Sequence, residues 1–309
     1  MLTQISILMA VRDGAAFLPA QLDSLARQDH RNWRLWASDD GSTDDSAAIL
    51  RGFAARHGVA RVTVLAGPEQ GAAANFRSLI RRAETGVDHV AFCDQDDVWD
   101  EDRLSRGLAL MLAKAPADRP ALAGSRLRIC DVRLAPIGLS PLPHRPLGFA
   151  NALVQNILSG NTLLLSPAAM ALLRAAEAEA SAFPVHDWWA YQLITGAGGV
   201  ALYDPAPSVS YRQHGGNAIG AGQGLVALAR RAAGLLGGAY GDRLRLATAA
   251  LAASNLRLTE ANRSTLRQFQ TALDATPIRR PALLRASGVY HQRNLQGRIF
   301  RLSALLGLV

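Results

Sequence analysis

The residues best suited to chemistry in this sequence are acids that follow two short apolar segments. Asp94 and Asp96 follow one of these segments, and Asp39 and Asp40 follow the other. In an extended backbone, side chains two positions apart project to the same side, so Asp94 and Asp96 face one ligand together. Two carboxylates in this arrangement suit Mg²⁺ or Mn²⁺ bound to a diphosphate. A lone acidic cluster is more often a solvated turn or a helix cap, so its companions decide the interpretation.

The pair at positions 39 and 40 is suited to binding a nucleoside. Carboxylates accept hydrogen bonds from a pyrimidine ring N–H or from ribose hydroxyls. The alternative is a cap for a helix that begins at Ser46, but Thr43 or Asp44 fills that role without Asp39 or Asp40. The sequence therefore predicts that two pairs of carboxylates meet at one edge of the fold.

The elements that must position these acids alternate between strand and helix. Apolar runs with β-branched residues predict strands, and apolar residues at helical spacing predict helices. The predicted strands are residues 5–9, 33–37, 62–65 and 90–93. The predicted helices are residues 17–28, 46–57 and 75–82. This alternation predicts an α/β fold with a mostly parallel sheet, and ligands of such sheets gather at the carboxyl ends of the strands.

The second half of the chain has a different pattern. The alternation weakens after residue 121, and four prolines between residues 136 and 146 predict a loop. That loop either shapes a groove for an acceptor or is a plain connection. Beyond residue 224 the sequence is rich in Ala, Leu and Arg and predicts helices, so we place a domain boundary between residues 220 and 221.

Seven short motifs occur in a fixed order along residues 4–220. They are ISILMA (5–10), DDGS (39–42), GAAANF (71–76), DQDDVW (94–99), GN (160–161), HDWW (186–189) and YRQHGGN (211–217). Their order and spacing resemble family 2 of the glycosyltransferases, of the inverting GT-A type, and within it the bacterial rhamnosyltransferase-like branch. The resemblance implies a GT-A fold, a mostly parallel mixed sheet flanked by helices, in a catalytic domain of residues 1–220. Residues 221–309 would then form a basic helical extension.

The resemblance implies a binding site for a nucleotide-sugar donor. Asp39 or Asp40 would hold the base and ribose, Asp94 the sugar or ribose side, and Asp96 the metal. The full set implied is Ala10, Arg12, Asp39, Asp40, Gly71, Asn75, Asp94, Gln95, Asp96 and Arg212. The first loop departs from the family, which often has Thr-Tyr-Asn where this chain has Val-Arg-Asp at residues 11–13. Arg12 would there stack on the base or meet a phosphate.

Asp187 is the candidate catalytic base. Inverting transfer is a single displacement that needs a base for the acceptor proton, and neighbouring apolar side chains would raise the pKa of Asp187. The alternative is an ordinary helix start with Asp at the cap and aromatic residues in the core. The acceptor-binding residues implied are Gly160, Asn161, Trp188 and Trp189, although a tryptophan is more commonly a core residue.

His214 is the candidate second ligand of the cation. It lies between Arg212 and a pair of glycines, in a loop that resembles segments closing over the donor in this family. A neutral imidazole would complete the shell of Mg²⁺ or Mn²⁺ beside Asp96, and Arg212 would neutralise a phosphate. The alternative for His214 is a purely structural role.

Composition limits the classes of protein. Two cysteines among 309 residues exclude a disulfide framework, and the sequence predicts neither a secretory signal nor a membrane-spanning run. We therefore expect a cytoplasmic protein, soluble or peripheral on the cytoplasmic face of the inner membrane. Residues 225–309 contain 13 Arg and three acids, within a chain of net charge +8. This charge favours an anionic membrane surface, since the exposed aromatics and binding motifs typical of a nucleic-acid binder are lacking.

Together these features predict a metal-dependent inverting glycosyltransferase. The donor would be a dTDP- or UDP-sugar, with dTDP-rhamnose first by family likeness. The acceptor would be a hydroxyl of a cell-surface polysaccharide or a lipid-linked glycan. The alternative is a non-catalytic nucleotide-sugar binder or scaffold of polysaccharide assembly, whose site has decayed at residues 11–13.

Overall fold

The N-terminal part of the protein alternates strands and helices, as the apolar periodicity predicts. The computed structural model describes residues 3–86, 88–180, 185–214 and 239–309. The strands are β1 (Ile5–Val11), β2 (Trp33–Asp39), β3 (Val62–Ala66), β4 (His89–Cys93), β5 (Val98–Trp99), β6 (Ala121–Cys130), β7 (Pro136–Leu139), β8 (Leu164–Leu165) and β9 (Val200–Arg212). The helices up to β9 are α1 (Leu18–Ala26), α2 (Ser46–His57), α3 (Ala72–Arg82), α4 (Arg103–Lys114), α5 (Phe149–Ala152), α6 (Pro167–Glu177) and α7 (His186–Gly196). Those after it are α8 (Ala239–Ala253), α9 (Glu260–Asp274), α10 (Arg280–Ala286) and α11 (Asn294–Leu305).

One mixed sheet of nine strands organises the fold, in the order β3-β2-β1-β4-β8-β6-β9-β5 with β7 beside β6. Strand β1 runs parallel to β2 and β4, and β8 pairs with β4 in the antiparallel sense. In this register Val11 lies opposite Asp39, and Met9 lies opposite Cys93. The acids that follow β2 and β4 therefore reach the same edge of the sheet, on either side of the segment that follows β1.

The Pro-rich stretch contains a strand that the sequence analysis did not predict. Residues Pro136–Leu139 form β7, which among the described strands pairs with β6 alone. Proline is tolerated there because one side of an edge strand needs no N–H donor. The predicted loop over residues 136–146 is therefore corrected at residues 136–139 and confirmed over residues 140–146.

The C-terminal helices pack against the sheet-bearing part through a shared apolar core. Leu251 of α8 and Phe269 of α9 are fully buried in the cluster that contains Trp189 of α7. Gly196 at the end of α7 permits this approach, because a Cβ atom there would lie 2.7 Å from Leu258 and 2.9 Å from Phe149. The predicted domain boundary between residues 220 and 221 lies outside the described residues. Within the described ranges no helix has the length and apolarity to cross a bilayer.

Candidate active site

The segment after β1 is fixed by the two strand ends that flank it. The side-chain amide of Gln95 accepts a hydrogen bond from Arg12 N and donates one to Arg12 O, both at 2.8 Å. Asp40 N donates to Val11 O at 2.8 Å. Gly14 lets Gln95 lie close, because a Cβ atom at residue 14 would lie 2.5 Å from its Oε1. Gln95 thus positions the segment after β1, and its expected contact with the donor stays a prediction, because each end of the amide keeps capacity for one more hydrogen bond.

Asp40 organises the loop that leads into α3. Its buried carboxylate accepts hydrogen bonds from Glu69 N at 2.6 Å and Gly71 N at 2.7 Å. Gly71 has a φ of 88°, a left-handed conformation that favours glycine. Asp39 is half-buried beside Ser42, whose hydroxyl donates to it. Of the two acids named for the base and ribose, Asp39 is the one with an accessible carboxylate.

We expect Asp40→Ala to lower the free energy of unfolding by about 2–4 kcal/mol, because two backbone N–H groups lose their acceptor. Donor affinity should fall with it, since the loop at residues 67–71 borders the site. Chemical denaturation and calorimetric binding of nucleoside diphosphates measure the two effects. Asp45→Ala is the control, because Asp45 is exposed and makes no side-chain capping bond to α2. Equal stability of the two variants would contradict the assignment.

Asn75 likewise positions the backbone beside the site. Its side chain is buried, and its amide donates to Ser38 O at 2.8 Å, which ties α3 to β2. The expected contact between the Asn75 side chain and the donor is therefore corrected to a positioning role. Ala10, near the end of β1, is half-buried and remains at the sheet edge.

Three acids after β4 form a cluster with an excess of negative charge. Asp94 and Asp96 are half-buried and Asp97 is fully buried. Burial, then the charges of Asp97, Asp96 and Asp187, raises the pKa of Asp94 well above its ordinary value. Burial and the charge of Asp96 also raise the pKa of Asp97. Crowded carboxylates of this kind suit a cation, which would offset their repulsion.

The side chains of Asp96 and His214 contact each other. The His214 Nε2 atom lies 2.8 Å from Asp96 Oδ2, and the His214 ring packs against Phe17 with centroids 4.7 Å apart. A carboxylate oxygen and an imidazole nitrogen fit Mn²⁺, and Mg²⁺ with more of its shell from water and phosphate. In the part of the chain that is described, no group of three or more His, Cys, Asp or Glu forms a candidate metal site.

Arg212 holds the acid loop and does not face the cleft. Its buried guanidinium donates to Asp96 O at 2.8 Å and to Val132 O at 2.5 Å, and it stacks over Phe17. The backbone N of Arg212 also donates to Asp97 Oδ1 at 3.1 Å. The expectation that Arg212 neutralises a phosphate is corrected, because the side chain is buried among these partners. Gly215, Gly216 and Asn217, the rest of this motif, lie outside the described residues.

Asp187 is a buried carboxylate at the start of α7. Its Oδ2 accepts from Gly160 N at 2.8 Å and its Oδ1 accepts from Trp188 N at 2.6 Å. Each oxygen keeps a further lone pair for a hydroxyl proton. Burial raises the pKa of Asp187 to about 6 in spite of these hydrogen bonds. The consecutive residues Gly160 and Asn161 donate to Asp187 and to Asp97, which places the acid of α7 beside the cluster after β4.

We expect turnover to rise with pH through a midpoint near 6, because a base must be ionised and burial raises the pKa of Asp187 to about 6. Neighbouring His186 adds no step above pH 5, since burial lowers its pKa to about 3. The same shift makes the contribution of Asp187 to folding stability fall as pH rises from about 4 through 6. A profile of kcat/KM against pH measures the midpoint. A flat profile from pH 5 to 8 would contradict the assignment.

The residues expected to contact the acceptor are buried in the core next to the acids. Gly160 N donates to Asp187, and the buried Asn161 amide donates to Asp97. Trp188 is 5% exposed, with its indole N–H donated to Ala152 O, and Trp189 is 0% exposed. The stacking platform proposed for the two tryptophans is corrected, because neither ring has a free face. All four residues support the site from within the core.

Two residues that support the site had no role predicted from the sequence. Asp97 is adjacent to the predicted pair and carried the same signal, but its spacing gave it no separate role. Arg103 is buried at the start of α4, where it stacks on Trp99 at 3.4 Å and donates to Asn161 O at 2.9 Å. No local pattern distinguishes this arginine from the exposed ones, because its acceptor lies 58 positions away in the sequence.

Comparison with known proteins covers the N-terminal part of the site. Residues 6–134 match the model of a family described as glycosyl transferase family 2. This part of the chain is therefore similar to members of that family. The match covers the acids at positions 39, 40, 94 and 96 but not Asp187 or His214. The predicted likeness to this family is confirmed over these residues.

Two curated relatives cover part of the chain. A dTDP-rhamnosyl transferase, RfbG of Shigella flexneri, is 28% identical over 32% of this chain and 35% of its own length. A UDP-Glc:alpha-D-GlcNAc-diphosphoundecaprenol beta-1,3-glucosyltransferase, WfgD of Escherichia coli, is 27% identical over 35% of this chain and 41% of its own. The chain thus matches less than half the length of either relative.

The predicted GT-A-like fold is confirmed by likeness to a solved structure. The crystal structure of S. aureus TarS 1–349 in complex with UDP-GlcNAc matches with a TM-score of 0.58 and 15% identity. The match covers 92% of this chain and 79% of TarS 1–349. It therefore includes the C-terminal helices as well as the sheet.

Proposed function

We propose that the protein is an inverting glycosyltransferase that transfers a sugar from a nucleotide-sugar donor to a hydroxyl of a glycan or lipid-linked glycan. The observation that carries this proposal is Asp187, a buried carboxylate with a pKa near 6 on the cleft lined by Asp94 and Asp96. A group with that pKa is ionised at neutral pH and still accepts a proton readily. The match of residues 6–134 to glycosyl transferase family 2 supports the same reaction class.

Asp187 would act on the acceptor. The acceptor oxygen attacks the anomeric carbon, its proton passes to a carboxylate oxygen of Asp187, and the bond from that carbon to the phosphate oxygen breaks. The nucleoside diphosphate leaves with the bonding electrons, so the anomeric configuration inverts. The N–H donors of Gly160 and Trp188 hold the carboxylate in one orientation while it accepts the proton.

The donor side would be held by the strand-end acids and the loop between them. Asp39 would accept hydrogen bonds from the base or ribose, and Asp94 from the sugar or ribose. Asp96 and His214 would hold Mg²⁺ or Mn²⁺, which supplies positive charge to the departing diphosphate. Arg12 is half exposed at the cleft rim, and its Nη1 atom lies 3.8 Å from Asp40 Oδ2. From this position its guanidinium can reach the base or a phosphate.

dTDP-rhamnose is the first donor to test and UDP-glucose the second, because the two relatives are named for these donors. The glucosyltransferase acts on a diphosphoundecaprenol-linked sugar, which favours a lipid diphosphate acceptor here. We further propose that the basic helices after β9 keep the protein at an anionic membrane surface, on its cytoplasmic face.

A panel of nucleotide sugars, each with Mn²⁺, Mg²⁺ or chelator, tests the proposal through released nucleoside diphosphate. Release with one donor that stops with chelator supports a metal-dependent transferase, and the anomeric configuration of the product tests inversion. Donor binding without turnover on any acceptor would instead support the non-catalytic binder. The ordered segment at residues 11–13 gives no specific support to that alternative, because Gln95 and Asp40 fix it in place.

A further inference from the structure

A cavity of about 340 Å³ lies between α10, α11 and the turn that joins them, remote in sequence from the cleft acids. The cavity is lined by five arginines, Arg145, Arg285, Arg293, Arg298 and Arg301. No Asp or Glu lines it. Arg145 reaches it from the segment before α5, and its guanidinium stacks over Tyr290 at 3.9 Å. The cavity thus gathers five positive charges from segments far apart in the sequence.

These arginines have no anionic partner within the chain. None of the five forms an ion pair among the described residues. The residues left undescribed contain no Asp or Glu, so they cannot supply one. Burial and the charge of Arg301 lower the pKa of the adjacent His291 to about 4. Uncompensated guanidinium groups around one cavity form a site for a phosphoryl group.

Helix α11 also presents an apolar stripe to solvent. Leu295, Ile299, Leu302 and Leu306 are 66%, 43%, 56% and 63% exposed. Their spacing of four, three and four residues places them on one face of the helix, opposite the buried Phe300. Arg298 precedes Ile299 and lies one turn before Leu302, so it borders both the stripe and the cavity.

We propose that α11 is a docking surface for a membrane of anionic phospholipid, with a lipid phosphate in the arginine cavity and the aliphatic stripe in the acyl boundary. A free phosphate would use the arginines and leave the stripe in water. An interfacial helix uses both, since apolar burial and attraction to anionic lipid act together. A second copy of the chain fits poorly, because a symmetric contact at the stripe would bring the two sets of arginines together.

This surface is joined to the helix that carries the proposed base. Within α5, the Asn151 amide donates to Tyr290 O at 2.9 Å, and Ala152 O accepts from the Trp188 indole at 2.7 Å. Docking through α11 would therefore hold α7 at a fixed position relative to the membrane. The inference specifies where the proposed membrane association occurs, and it does not depend on which sugar is transferred.

Sedimentation of the full chain with vesicles tests the surface. Phosphatidylcholine vesicles are compared with vesicles in which part of the lipid is phosphatidylglycerol. We expect binding to the anionic vesicles only, weakened about 30-fold in Arg298→Gln/Arg301→Gln. Ile299→Ser/Leu302→Ser should weaken it at least tenfold. The controls Arg51→Gln/Arg56→Gln and Leu112→Ser remove exposed side chains elsewhere and should change binding less than twofold.

Three outcomes would overturn the proposal. The first is that the two α11 double variants and the control variants weaken vesicle binding equally. The second is that the protein binds inorganic phosphate or pyrophosphate but does not bind vesicles. The third is concentration-dependent self-association that only Ile299→Ser/Leu302→Ser abolishes. Unchanged melting temperatures verify that each variant is folded. Donor turnover in vesicle-free buffer is measured in parallel, so failure of the transferase and failure of the docking surface give separate results. Neither α11 pair should change that turnover.

Discussion

Replacement of Asp187 by Asn is expected to reduce kcat by about 10²–10⁴-fold while changing donor affinity less than twofold. The amide cannot take the acceptor proton at neutral pH, and the donor side of the cleft keeps its own acids. Stability should change little, because removal of a buried charge favours folding while Gly160 N or Trp188 N loses an acceptor. Initial rates of nucleoside diphosphate release and calorimetric binding of the donor measure the two quantities.

The matched control for this variant is Asp131→Asn. The Asp131 carboxylate also accepts two backbone N–H groups, from Arg133 and Ala135, but it lies outside the acid cluster. We expect this variant to retain kcat, so a loss specific to Asp187 reflects proton transfer and not the loss of a turn. A variant at Asp187 that retained kcat would remove the proposed base and, with it, the single-displacement mechanism.

Asp96→Asn should have the second largest effect, a loss of roughly 10²–10³-fold in kcat/KM. The amide keeps the shape of the side chain but removes the charge that meets His214 at 2.8 Å. The loop itself should persist, because Arg212 donates to the backbone O of residue 96 and not to its carboxylate. The concentration of Mn²⁺ that gives half-maximal activity should therefore rise, and donor affinity measured with Mn²⁺ should fall.

His214→Gln should shift the same Mn²⁺ titration by a smaller factor, because a neutral ligand is removed instead of a charged one. Asp102→Asn is the control, since Asp102 is an exposed acid at the start of α4 without a role in the cleft. An Asp96→Asn variant with the metal titration of the unaltered protein would contradict the assignment of the cation site.

Local pattern was sufficient to find the elements that carry the site. Helix α2 begins and ends at the predicted residues, 46 and 57, and the first four strands fall within two residues of their predicted ends. Apolar periodicity reports on the face that each element buries, which is a local property of the chain. The positions of Asp39 and Asp94 at the ends of parallel strands followed from that pattern alone.

Local pattern could not show which polar side chains are free to bind a ligand. Asp40, Gln95 and Arg212 had suitable chemistry for a ligand, but their partners are backbone groups 29, 83 and 116 positions away. Such contacts form only when the sheet brings distant loops together. For the same reason, Trp188 and Trp189 became core residues once α5 and the C-terminal helices packed over α7.

The sequence by itself thus determined the order of the elements, the family likeness of residues 6–134 and the acids at two strand ends, because short-range periodicity and motif order encode them. Tertiary structure decided which acids are accessible to a ligand and which accept hydrogen bonds from the backbone. It also decided that arginines at position 145 and at positions 285–301 share one cavity. Packing joins residues that no local pattern relates, and burial then decides whether a charge faces a ligand, a backbone group or solvent.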